Sequence, residues 1–110
     1  AVALSYYSMY HMLTALLFKI GLKCENHDAS IILMNLVFGL DNSDIKYAKS
    51  ERIDKQYYTN FHITKKEVEE DIQNAEIFNN KMLDFISKLS NKDVVIYREK
   101  YDEIFKDKKT

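Results

Sequence analysis

The chain has no proline and no tryptophan, only two glycines (Gly21 and Gly39) and one cysteine, Cys24, in 110 residues. Each scarcity excludes something. A chain with so few turn-formers is poorly suited to the many reversals of a β-sandwich or barrel, so long helices are favoured. Two isolated glycines cannot build a glycine-rich loop that cradles phosphates. One cysteine excludes an internal disulfide and a thiolate zinc cluster, and fits a reducing compartment. Charge of one sign is also lacking: 16 basic against 17 acidic side chains leave a net charge of −1. Contact with RNA or DNA, which is dominated by phosphates, would therefore need a local basic patch.

What is present is globular. Hydrophobic residues make up 46% and charged residues 30% of the chain, enough for one modest core and too little for two domains. The first 22 residues carry a single charge, Lys19. Ser5, Tyr6, Tyr7, Ser8, Tyr10, His11 and Thr14 interrupt them with polar groups. Such groups are costly in hydrocarbon and tolerable in a bundle core, so the stretch reads as a central helix and not as a membrane span. With no recognisable export signal, the expected location is cytoplasmic.

Five helices follow from periodicity and punctuation. The first spans about Val2 to Ile20 and ends at Gly21. Asp28 is expected to cap a second over Ala29 to Phe38, stopped by Gly39. The third covers Ile45 to Tyr58, and Asn60 to Ile63 break it. Thr64-Lys65-Lys66-Glu67 has the form of a capping box opening the fourth helix. There Val68, Ile72, Ala75, Phe78, Met82, Phe85, Ile86 and Leu89 share one face. Ser90 to Asp93 introduce a fifth, Val94 to Phe105, with a charged tail that frays. The expectation is one all-α domain over residues 1–110, an up-and-down helical bundle of four to five helices.

Two stretches could carry chemistry. In Ser5 to His11, Tyr6 and Tyr10 share a helix face, as do Tyr7 and His11. These rings fit either a core with satisfied hydroxyls or the wall of a polar cleft. In Glu51 to Tyr58, Arg52 lies beside the apolar pair Ile53 and Tyr57. There it can grip a phosphate in bidentate fashion or bridge to a carboxylate. The histidines, His11, His27 and His62, have no close ligand spacing, so no metal site is expected.

In order and spacing these pieces resemble a known family. Tyr6-Tyr7, Met9-Tyr10-His11, Ala15-Leu16-Leu17 and Gly21 are similar to the signature of small prokaryotic HEPN proteins. His27 matches a histidine that those proteins often place after the first loop. Arg52 and Tyr57 resemble an arginine–tyrosine segment of the family, and the run from Phe61 to Phe78 is loosely similar to its later helix. The resemblance covers about Leu4 to Leu89. It implies a helical bundle that commonly dimerises, binds nucleotides or RNA, is often paired with a minimal nucleotidyltransferase as a toxin–antitoxin system, and in many members cleaves RNA. No cofactor is implied.

The family's ribonuclease motif is an arginine followed, after four to six residues, by a histidine. Arg52 fits the arginine, whereas Tyr57, Tyr58 and Thr59 occupy the histidine's place, and a phenol is a poor base at neutral pH. The reading is therefore a nucleotide- or RNA-binding HEPN-type module, with Tyr6, Tyr7, His11, Arg52, Tyr57 and Tyr58 as its ligand-binding residues. Its partners would be a second copy, a nucleotidyltransferase, and RNA or a nucleotide. Tyr57 and Tyr58 are also candidate acceptors of nucleotidyl groups. The alternative is a metal-independent endoribonuclease in which Arg52 works with a displaced histidine, His11 or His27. Because the family has a helix leading into the tyrosine pair, the chain is also expected to lack part of its N-terminal region.

Overall fold

α1 (Val2–Lys19), α2 (His27–Phe38), α3 (Ser43–Tyr57), α4 (Lys65–Ser87) and α5 (Asn91–Ile104) follow one another along the chain. The computed structural model describes residues 2–57 and 64–106, with the backbone alone at 2, 3 and 53–57. Among the described residues there is no strand, and the architecture is an all-α bundle. The break expected at Asn60 to Ile63, position 58 and most of the tail lie outside them.

α1 is the central element and packs on α4, α3 and α2; α5 rests on α2. Its sequence dictates that place. Tyr6, Met9, Leu13, Leu16, Leu17 and Ile20 recur at three- and four-residue spacing, and all are buried. Each contributes about 1.5–3 kcal/mol of apolar burial. α2 adds Ile31, Leu33, Met34, Val37 and Phe38; α3 adds Ile45; α4 adds Ala75, Phe78 and Met82. α5 contributes no fully buried residue. It holds on through Tyr97, which joins Phe38 and Phe85 in an aromatic cluster with centroids 4.9 and 6.0 Å away. Arg98 reaches back to donate to the Gly21 carbonyl at 2.9 Å.

Local capping mostly follows the sequence, with one correction. Thr64 accepts from the Glu67 N–H at 3.1 Å, and Ser90 and Asp93 form a reciprocal capping box. α2, however, is capped by Asn26, whose Oδ1 accepts from the Ala29 N–H at 2.9 Å, and not by Asp28. Asp28 lies inside the first turn, and Lys49 of α3 engages its carboxylate. Ile72 also departs from expectation. It is 45% exposed, because at 100° per residue it points roughly a quarter turn away from Ala75, Phe78 and Met82. No helix among the described residues is long and apolar enough to cross a membrane.

Candidate functional site

The bundle brings three helices together where the N-terminus of α2 meets α1 and α3. Tyr6, Tyr7 and Tyr10 come from successive turns of α1, His27 opens α2, and Lys49 and Arg52 come from one face of α3. Tyr6 is fully buried, and its hydroxyl lies 2.8 Å from Nδ1 of His27. The Tyr10 ring stacks on the imidazole with centroids 3.7 Å apart and planes 17° from parallel. Tyr7 meets the same imidazole edge-on at 6.3 Å. Tyr6 and Tyr10 are core rings with bonded hydroxyls, and Tyr7 is exposed beside them.

Arg52 lies across Tyr6 and Tyr7. Its guanidinium carbon is 5.3 Å from the Tyr6 ring centroid and 5.5 Å from that of Tyr7, within cation–π range. One terminal nitrogen donates to the Tyr7 hydroxyl at 3.1 Å. Nε is buried with no hydrogen-bond partner among the described residues. Among the described residues no carboxylate pairs with Arg52, which there touches the two tyrosine rings and the Tyr7 hydroxyl. A guanidinium fixed on aromatic faces with donors to spare is suited to planar, bidentate recognition of an oxyanion.

The tautomer of His27 follows from its partner. Burial pushes the Tyr6 phenol up to about 12, opposed by Arg52, so it stays protonated at neutral pH. Fully buried, with no other acceptor among the described residues, its O–H donates to Nδ1. Desolvation, then the charges of Arg52 and Lys49, hold the His27 pKa below its ordinary value, with Asp28 opposing. A neutral imidazole that accepts at Nδ1 carries its proton on Nε2. His27 therefore carries an N–H donor on Nε2, and its ring lies near the same two tyrosines as the guanidinium.

His11 does not join them. It is exposed, with its ring 6.4 Å from that of Tyr10, and its charge is the last and smallest influence on His27. The Tyr57 side chain and the whole of Tyr58 lie outside the described residues, as does His62. Sequence reasoning left Tyr10, Lys49 and Asp28 out of the site. Lys49 had a signal, since it precedes Arg52 by one helical turn and shares its face. Asp28 had none, because its partner lies 21 residues away.

A second depression, of about 110 Å³, lies between α1, α3 and α4 and is lined by Ser5, Met9, Asp44, Glu51, Asp71 and Asn74 among others. Its three carboxylates, Asp44, Glu51 and Asp71, would repel an anion. Among the described residues no three histidine, cysteine or acidic side chains are grouped to hold a metal ion. No family model, no curated protein and no solved structure matches the chain.

Proposed function

We propose that this chain is a HEPN-type nucleotide- or RNA-binding module in which Tyr7, His27 and Arg52 hold a phosphate group of the ligand. The observation that carries this reading is the Arg52 guanidinium, laid over Tyr6 and Tyr7 with no carboxylate partner among the described residues. His27, with its proton on Nε2, packs near the same two tyrosines. Two fixed donors with a positive charge between them match the oxygens of a phosphate, and Tyr7 offers a ring edge to the group that the phosphate carries. The resemblance to HEPN proteins supplies the rest of the proposal: work alongside a nucleotidyltransferase, in a toxin–antitoxin-like pair, as a homodimer. The dimer also accords with an uncharged exposed stripe on α1, where Leu4, Tyr7, Ser8, His11, Ala15 and Phe18 stand at helical spacing.

The test is fluorescence anisotropy of a short labelled RNA with wild-type protein and Arg52→Ala. Binding that weakens at least tenfold in the variant, in a protein that still melts cooperatively, supports the reading. Equal binding by both removes it.

The second reading is an endoribonuclease with His27 as the displaced histidine. The influence of Arg52 on His27 favours it over any use of His11. The tautomer limits its form: as an acid His27 would have to be the imidazolium, protonated at Nδ1 as well, and as a base it would need the Nδ1 lone pair that Tyr6 already occupies. Metal-free incubation of the same RNA distinguishes the two, since only the enzyme shortens it, and only with Arg52 and His27 intact.

A further inference from the structure

The cleft holds a second cation that the arginine's role leaves unused. Lys49 lies one turn before Arg52 on α3, its side chain only 20% exposed, yet its ammonium is taken by the carboxylate of Asp28, which is 74% exposed. Asp28 immediately follows His27 in the first turn of α2, so this exposed carboxylate stands next to the site and pairs with a largely buried lysine side chain. Helix capping does not explain its position, because Asn26 is the cap. A negative group in that place does what an incoming anion would do: it neutralises Lys49.

Resting on the phosphate-binding reading, we infer that Asp28 is a specificity-determining residue, an internal counter-anion that occupies Lys49 and leaves Arg52 as the cleft's working charge. Among the described residues, with Arg52 positive, His27 neutral and Lys49 cancelled by Asp28, the cleft offers one net positive charge. One charge matches a phosphodiester, which carries a single negative charge. A terminal phosphate carries nearly two at pH 7.5, and its second charge would meet the Asp28 carboxylate next to the site instead of a free ammonium. Asp28 thus biases the site toward internal phosphates of a chain and away from chain ends and mononucleotides. The electrostatics agree: hydrogen bonding and charge from Lys49 hold the Asp28 carboxyl below its ordinary value, and Lys49 and Asp28 pull His27 in opposite directions.

The experiment compares affinities for a dinucleoside monophosphate and a nucleoside 5′-monophosphate, in wild type, Asp28→Asn, Asp28→Asn with Lys49→Ala, and Arg52→Ala. Wild type should prefer the diester. Asp28→Asn should bind the monophosphate on the order of tenfold more tightly, with a salt dependence steeper by about one counterion. The diester should change less, so the preference narrows or reverses. Adding Lys49→Ala should cancel that gain, which shows that the freed ammonium causes it. Asparagine at position 28 keeps the side chain's size, and a cooperative melt of each variant controls for folding. An unchanged or weaker affinity for the monophosphate in Asp28→Asn, or a gain that persists without Lys49, overturns the inference. The phosphate-binding reading survives that result as long as Arg52→Ala still weakens the diester. If neither wild type nor Asp28→Asn binds either ligand, the reading and the inference fall together.

Discussion

His27 is the residue on which the chemistry of the cleft turns, because burial and four neighbours set its protonation. Tyr6 holds Nδ1, Tyr10 covers a ring face, and Arg52 and Lys49 oppose a positive charge. The consequence for stability has a definite sign. A histidine whose folded pKa lies below its unfolded value of about 6.5 favours the fold fully above that pH and loses its contribution as pH falls through the folded pKa. Melting temperature should therefore fall as pH drops below about 6.5, and His27→Gln should flatten that slope. Tyr6 acts at the other extreme. Raised to about 12, it supports the fold below pH 10 and loses that support as pH climbs from 10 to 12, a loss that Tyr6→Phe would remove. Two-dimensional NMR of the imidazole nitrogens reads the tautomer directly, with Nε2 protonated at pH 7. At this scale the sequence singled out Tyr6, Tyr7, His27 and Arg52, and the structure brings these four together. Lys49 and Asp28 were not singled out because their meaning lies in a contact between two helices.

At the scale of the element, the end groups of each helix decide where it begins. Ser90 and Thr64 could be read from local sequence, since an N-cap bonds only two or three residues ahead. The start of α2 could not. Asn26 and Asp28 are both good caps two positions apart, and Lys49 on another helix removes one of them from the competition. Asn26→Ala should cost about 1 kcal/mol, read as a lower melting temperature, with weaker RNA binding as His27 loses its fixed position. Asp28→Asn should cost less stability than Asn26→Ala. Just past the C-terminus of α1, Gly21 adopts φ 80°, where side chains are strained, and a Cβ there would stand 3.4 Å from the Arg98 guanidinium. Arg98 donates to the Ile20 and Gly21 carbonyls and lies over Tyr101. Since α5 buries no residue fully, Arg98→Ala should cost about 1 kcal/mol and raise hydrogen exchange selectively in α5. Amphipathic spacing announced α4 as an element, but placed Ile72 inside a face whose edge it only borders.

The whole molecule measures 48 × 32 × 18 Å. The short axis is about two helix diameters, so α1 is covered by its neighbours on some sides and open along the stripe from Leu4 to Phe18. Leu13, fully buried within α1, belongs to the packed side, and Leu13→Ala should cost about 2–5 kcal/mol. The open side bears the proposed dimer contact. Sedimentation should give twice the chain's 13.0 kDa mass, and Phe18→Glu should return it to that of one chain. Fold class was legible at this scale from the missing proline and glycine and from the apolar period. The meeting of α1, α2 and α3 at one cleft was not, since periodicity specifies a face and leaves its neighbour open.

The central claim is that the cleft of Tyr7, His27 and Arg52 receives a phosphate. The most direct measurement follows the His27 side-chain nitrogens and the Arg52 Nε by NMR while a dinucleoside monophosphate is added. The account predicts saturable shifts at His27 Nε2 and Arg52 Nε, with Nδ1 little changed, and their loss in Arg52→Ala. Saturable binding that moves other residues and leaves these two nitrogens where they were would contradict it.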